Sequence, residues 1–563
     1  MLTTPASVTE ASWDEIAACY DDLEARPLSP ETVEAWLAEW SRLEEVVSEA
    51  ISTAMIGYTC DTADEAKAVI HRRLVVEVAP KAEEKGVALA IKFARLNWTR
   101  PGLEQVTARF RRAIEIFREA NVPLTSALEE TATEYQSLTG GFTTVWDGQR
   151  RPLPYLAPFL QSPERAVRER AFHGVVAPYV ESRDRMAELF DRQYALRQRV
   201  AANAGFADYQ AYAFASKCRF DYSPADCAGF HRAVEQVVMP AIERLQAVRQ
   251  ARLGLDRLRP WDLNVTLYRD DPIRPFRAGA ELASKARRMF DALDPVLAGQ
   301  FGLMIEEGLL DLDSRQGKAP GGYCDTLHFR GRPFIFMNAA GVMEDVQTLL
   351  HEAGHAFHAF ASDAKPLIWQ RHPTAEAAEL ASMSMELLAA PLLDAPGAFL
   401  SPRDAAIARL EHLEDALLTL AHVASIDAFQ TWIYTSREGQ VGEARDRAWL
   451  EIRSRFERAI DWTGLEPERI GRWYRQLHVF LYPFYYVEYG IAQLGALQVW
   501  LSYKKDPPQA LADYRDFLSR GATASLPELY RAAGAELVFD ADRMRPLVAA
   551  VEVEMDRLRA LVA

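Results

Sequence analysis

The 563-residue chain has no run approaching 18 uninterrupted apolar residues, so no membrane-spanning helix is expected. It has no basic excess either. Asp and Glu number 80 against 64 Lys and Arg, a formal charge of −16, which argues against a nucleic-acid partner because such partners select a basic footprint. Cysteine is sparse: Cys19, Cys60, Cys218, Cys227 and Cys324 are scattered and form no C-x-x-C pair. An odd, dispersed set suits free thiols in a reducing compartment better than a disulfide scaffold. The opening stretch lacks a basic segment followed by an apolar one, so no secretory signal is expected and a cytoplasmic location is anticipated. There is no repeat of fixed period and no low-complexity tract, and nothing in the sequence points to an oligomeric state.

Helical periodicity is abundant. The run from Ser29 has a candidate N-cap, Pro30 in the first turn, and apolar residues Val33, Trp36, Leu37, Trp40, Leu43 and Val47 on one face. Similar patterns recur through 64–135, 164–200, 224–254, 276–310 and 403–435, so the fold class is mainly α; the length leads one to expect two to four structural units. Strand signals are few. Thr143–Trp146 followed by Asp147-Gly148 predicts a hairpin with a primed turn, flanked by Gly140-Gly141 and Pro152, Pro154 and Pro158. This marks the expected boundary between an N-terminal helical region, 1–140, and the rest, 141–563. A second strand, 333–337, is predicted after an Arg330-Gly331-Arg332 turn, with Pro333 suiting a sheet edge. Gly321, Gly322 and Tyr323 are read as a loop near the site.

The chemistry concentrates in 345–360, DVQTLLHEAGHAFHAF. On a helix, His351 and His355 lie four apart and share one face, so two imidazoles can meet one metal ion. Glu352 between them is placed to act as general base on a metal-activated water, the logic of H-E-x-x-H. A catalytic zinc needs a third protein ligand and an open position. The H-E-x-x-H-x-x-G-x-x-H extension fails, since 358 is His and 361 is Ala. The remaining donors are Glu376, Glu379 and Glu386 in TAEAAELASMSMELL, and spacing alone does not choose between Glu376 and Glu379.

A second dense segment is LHVFLYPFYYVEYGIAQLGA (477–496), with His478, Tyr482, Tyr485, Tyr486 and Tyr489. Such a stripe is either core packing or, for some of the phenols and the imidazole, a source of donors aimed at an oxyanion.

His351–His358 followed by Ala378-Glu379-Leu380-Ala381-Ser382 and Glu386 resembles the thimet oligopeptidase/oligoendopeptidase F family of zinc metallopeptidases. Further resembling stretches are 145–172, RFDYSPADCAGF (219–230), PWDL (260–263) and the GGYC…RPFIFMNAAG region, so the resemblance spans roughly 140–545. It implies a zincin-type peptidase with a small sheet beside the metal-site helix and a deep channel between two largely helical halves. It implies one Zn²⁺ on His351, His355 and Glu379, with Glu386 and His358 as supporting neighbours behind these ligands. The metal-site core then falls at about 320–390 and the aromatic segment at about 477–496. The resemblance also matches His478, Tyr482 and Tyr489 to the family's His-Tyr-Tyr pattern, with His478 and Tyr482 one residue closer than in the animal relatives. Substrates are expected to be short peptides, aligned against the strand and its continuation at Phe336, Asn338, Ala339 and Gly341 and flanked by Tyr485 and Tyr486. Two other readings are a zinc carboxypeptidase, which needs a cation such as Arg472 or Arg475 to hold a terminal carboxylate, and a helical peptide-binding scaffold without catalysis.

Overall fold

Helix accounts for 71% of the chain in the computed structural model, which describes residues 2–269, 273–315, 317–319 and 321–562. Among the described residues no helix is long and apolar enough to cross a membrane, and none of the five cysteines is in a disulfide. The chain condenses into two units and passes between them five times. One comprises Met1–Glu115, Ile273–Arg409 and Ala492–Leu537; the other comprises Ile116–Pro272, Leu410–Ile491 and Val538–Ala563. The anticipated boundary near 140 thus falls inside the second unit, and the N-terminal helices belong with the H-E-x-x-H segment. A cluster of Trp36, Trp40, Phe93 and Phe110 explains this grouping: Trp369, from the segment just after the H-E-x-x-H helix, packs on Trp40 (4.4 Å between ring centres) and on Phe110 (5.0 Å).

The helix expected from Ser29 begins at Val33 and runs to Cys60. The Ser29 carbonyl accepts from Thr32 and Val33, so Pro30–Thr32 form a turn ahead of the helix instead of its first turn. Hairpin strands β1 (Thr143–Trp146) and β2 (Gln149–Pro152) form as predicted, with Asp147 and Gly148 both at positive φ (49° and 76°) as a primed turn demands. Two of the family-like stretches meet in this second unit. Arg168, fully enclosed, donates to Asp262 of PWDL (2.9 Å) and to the Trp261 carbonyl (3.0 Å), while Arg165 supports the same carboxylate (2.8 Å). Their role is structural, the kind of buried charge that persists only when fully paired.

The first unit contains a three-stranded sheet ordered β3-β5-β4: β3 Leu310–Asp313, β4 Tyr323–Leu327 and β5 Arg332–Ala339. The predicted strand is therefore central, and the edge position suggested by Pro333 is incorrect. The register shows why a proline is tolerated there. The Ile335 N–H points toward β3, donating to the Leu309 carbonyl (3.0 Å), and Pro333 shares that direction two residues earlier, before β3 pairing begins at Leu310. No ladder hydrogen bond is forfeited. Strand β3 itself was not anticipated. Four residues carry too little periodicity to separate them from the helices Gly279–Leu293 and Pro295–Glu306 that precede them.

At the end of β5 the chain turns at Gly341 (φ 86°) into the helix Met343–Ser362. Asp345, on its first turn, accepts the N–H groups of Ala340, Gly341 and Val342 at 2.8–2.9 Å, so one carboxylate satisfies three backbone donors and sets the angle between strand and helix. Asp345→Ala is expected to lower stability by about 1–3 kcal/mol, with Asp345→Asn milder, as read from chemical denaturation midpoints at constant m-value.

Candidate active site

The helix Met343–Ser362 carries His351, Glu352, His355 and His358, and the helix Ala375–Ala389 carries Glu376, Glu379, Ser382 and Glu386. These two helices pack unusually closely. A Cβ built on Gly354 would stand 2.5 Å from the Ser382 Cα and 2.7 Å from the Ala381 carbonyl oxygen, so only glycine fits. Packed helices usually lie 8–10 Å apart with side chains between them; here backbone meets backbone, and a glutamate one turn before the contact reaches the opposite imidazoles. Tyr514 donates to the Ala381 carbonyl (2.8 Å) and holds the second helix from behind.

The resulting geometry gathers one donor atom each from His351, His355 and Glu379 within 4.8 Å of one another. The Glu379 Oε2 lies 3.3 Å from His351 Nε2 and 3.8 Å from His355 Nε2. Donors about 2.1 Å from one ion at tetrahedral angles stand about 3.4 Å apart; the Glu379–His351 distance matches that spacing and the Glu379–His355 distance is a little longer, so the set could hold a metal ion. Behind the donors, His351 Nδ1 lies 2.7 Å from Glu386 Oε1, and the Ser382 hydroxyl lies 3.1 Å from Glu379 Oε2. The first contact occupies the imidazole nitrogen facing away from the shared point; the second falls on the same carboxylate oxygen that faces the imidazoles. Burial lowers the proton affinity of His351, but the hydrogen bonds to Glu379 and Glu386 outweigh it and raise the pKa well above the usual imidazole value. The same two carboxylates favour any cation placed on Nε2. Burial pulls His355 down to about 4, leaving its lone pair free of a proton at neutral pH.

Glu352 stands apart from the three donors. It is buried, and burial pushes its carboxyl up to about 7. The backbone N–H of Cys324, in β4, hydrogen-bonds to it. That N–H is available because Cys324 pairs with Ile335, whose own N–H turns to β3; the Cys324 amide therefore points off the sheet's edge. His358 lies outside the donor group, buried against Phe517 (5.3 Å), with burial lowering its pKa to about 3. Glu376 is buried on the same helix as Glu379 but is not part of the converging set.

Of the residues expected to line a substrate, Phe336 is fully buried and stacks on Tyr323 (4.9 Å). Asn338 donates to the carbonyls of Ala319 (2.7 Å) and Gly321 (2.9 Å), Ala339 is buried, and Gly341 is the turn residue. Tyr323 belongs to β4 and shares a hydrogen bond with Thr59 (2.6 Å), not to a loop.

In the second unit the aromatic segment forms its own cluster. Tyr482, Tyr485, Tyr486 and Tyr489 surround His478 at ring-centre distances of 5.9, 5.7, 4.8 and 6.0 Å. Tyr482 is 55% exposed, whereas the Tyr486 hydroxyl donates to Gln476 (3.1 Å) and burial raises its pKa to about 12. Residue reading assigned no role to Asp345, Ser382 or Cys324. The first two carried a local signal, an acid in the first helical turn and a serine three residues after Glu379; the third depended on sheet register.

Gly354→Ala is expected to separate the two helices and lower the affinity for Zn²⁺ more than tenfold. Glu386→Gln is expected to weaken it about 10–100-fold, both by competition with a chromophoric chelator.

Comparison with known proteins agrees with this architecture. The chain is 24% identical over 439 residues to the oligopeptidase PepF of Bacillus subtilis, covering 75% of this chain and 60% of that protein. It is 22% identical over 428 residues to an oligoendopeptidase F homolog of Lactococcus lactis, covering 75% and 66%. The chain thus spans 60% and 66% of the length of these two relatives. Its fold superposes on the solved structure of PZ peptidase A with inhibitor 2 with a TM-score of 0.89 and 26% identity, covering 97% of this chain and 98% of that one. The model of Peptidase family M3 matches residues 159–545, which take in the helices Met343–Ser362 and Ala375–Ala389 and the aromatic segment, and the chain belongs to that family.

Proposed function

We propose that the protein is a zinc-dependent endopeptidase acting on internal bonds of short, unstructured peptides, with Glu352 as general base. The observation that carries the reading is the convergence of His351, His355 and Glu379 beside a buried Glu352 that is not among the converging donors. A zinc ion held by these three residues would supply Lewis acidity, activating water and polarising the scissile carbonyl, and Mn²⁺ or Co²⁺ could replace it in vitro. Glu352 takes the proton of the attacking water and delivers it to the leaving amine, while the Cys324 N–H keeps its carboxylate oriented. Glu386 fixes the ring of His351, and Ser382 fixes the carboxylate of Glu379.

The tetrahedral species carries an oxyanion, and donors beyond the metal stabilise it. His478, Tyr482 and Tyr489 are assigned that role, supported by the family pattern and by the grouping of phenols around one imidazole. Tyr485 and Tyr486 are assigned to the substrate surface. The main chain of β5 is engaged on both sides, so peptide addition is assigned to the edge strand β4; Phe336, Asn338, Ala339 and Gly341 then shape the ground behind it. The names of the relatives, oligopeptidase and oligoendopeptidase, support short substrates and internal cleavage. The carboxypeptidase reading is weakened because Arg472 is engaged with Glu457 (2.5 Å) and is thereby drawn away from a terminal carboxylate. A non-catalytic scaffold would have no use for Glu352.

Quenched peptides with both termini blocked are expected to be cut, and chelation is expected to abolish the cutting. Resistance of amidated peptides that are cut once their C-terminus is freed would instead identify a carboxypeptidase. Glu352→Gln is expected to retain zinc by elemental analysis and lose at least about a thousandfold in kcat; near-normal turnover by that metal-replete variant would exclude the mechanism.

A further inference from the structure

Phe484 has φ +64° and is fully buried, one of four non-glycine residues at positive φ among the described residues. A bulky aromatic in this region is a genuine outlier, maintained only where its surroundings over-determine it. It sits between Tyr482 and Tyr485, at the joint between the short helix Leu477–Leu481 and the helix Tyr486–Lys505. Its N–H donates to Gln430 Oε1 (3.1 Å), and its carbonyl accepts from Nη2 of Arg219. The same nitrogen donates to Glu488 Oε1 (2.7 Å), on the first turn of the second helix. One guanidinium therefore ties the strained joint to the helix that carries Tyr489.

Arg219 is itself aimed with care. The helix Tyr209–Ser216 ends in a Schellman arrangement, with Arg219 N–H donating to the Phe214 carbonyl (3.1 Å) and Cys218 N–H to the Ala215 carbonyl (3.0 Å). Cys218 holds the left-handed position (φ +54°) where glycine is usual, so a second strained residue directly precedes the arginine. The guanidinium, with no exposed side-chain surface, lies over the ring of Phe214 (4.4 Å) and near that of Tyr222 (5.5 Å). Lys217 reaches the same patch, 4.8 Å from the centre of Tyr485 and 3.6 Å from Glu488. The R-F-D-Y-S-P stretch that the proposed chemistry leaves unused thus converges on the tyrosine-bearing turn.

We propose that Arg219 is a positioning residue for the phenols, holding the Phe484 joint so that Tyr482 and Tyr489 keep one fixed relation to His478. The inference rests on the assignment of those phenols to the reaction. A lysine retains the charge but lacks the flat guanidinium that lies over Phe214 and beside Tyr222 and so holds the donating nitrogen in place, and it does not substitute.

The test compares Arg219→Lys and Arg219→Met with Tyr482→Phe and Tyr489→Phe, alone and combined, using a quenched blocked peptide, zinc analysis and hydrogen exchange. Arg219→Lys is expected to bind zinc normally and lose at least tenfold in kcat with KM within threefold. It should add less than threefold to the loss in Tyr489→Phe, and speed amide exchange over 482–489 at least tenfold while 343–362 stays protected. If Arg219→Met does not fold, the lysine variant decides alone. Wild-type kcat in a folded Arg219 variant, losses that multiply fully with Tyr489→Phe, or unchanged exchange over 482–489 would overturn the inference. Full rates in both tyrosine variants would overturn the assignment of the phenols and the inference with it, whereas slow tyrosine variants beside a fully active Arg219→Lys overturn the inference alone.

Discussion

The backbone contact between Gly354 and Ser382 is the constraint on which the metal-site geometry depends. Imidazoles four residues apart on a helix can approach one point unaided, but the third donor must come from elsewhere and arrive close to both. A glutamate side chain cannot span an ordinary gap between packed helices and still be held rigidly. Removing the Cβ at Gly354 lets the second helix advance until Glu379 reaches His351 and His355, and Tyr514 fixes the advanced position through the Ala381 carbonyl.

The charges of the first unit follow from that approach. Glu352, Glu379 and Glu386 are brought beside two imidazoles in largely buried surroundings, an excess of negative charge that a divalent cation complements. Hydrogen bonding divides the labour among chemically identical groups. Glu386 is turned to His351 Nδ1, Glu379 is steadied by Ser382, and Glu352 is met by the edge amide of Cys324. Burial acts on all of them, but each carboxylate has a different hydrogen-bond partner.

The second unit is governed by buried arginines. Arg168 with Asp262 joins two distant stretches into scaffold, while Arg219 with Glu488 secures a left-handed phenylalanine inside the tyrosine-rich turn. A guanidinium suits both tasks because its planar donors serve a carboxylate and a backbone carbonyl together. The family-like stretches at 145–172, 219–230 and 260–263 thereby acquire a physical content that their composition did not reveal.

Short-range geometry was legible along the chain. The i, i+4 spacing of His351 and His355, the Asp-Gly hairpin turn and the apolar stripe after Val33 are consequences of a few consecutive dihedral angles, which neighbouring residues decide. Where the reading missed, a distant partner decided. Strand β5 is central because β3 pairs with it from the other side, and the anticipated boundary at 140 dissolved because Trp369 packs into the N-terminal aromatic cluster. That Glu379 and not Glu376 converges with the two imidazoles, open to spacing alone, depends on how one helix packs against the other. Likewise, Arg219 meets Phe484 across 265 positions, a separation at which no local pattern carries information. Sequence by itself determined which residues could perform the chemistry; only tertiary packing determined which of them meet, because convergence depends on the closeness of elements far apart in the chain.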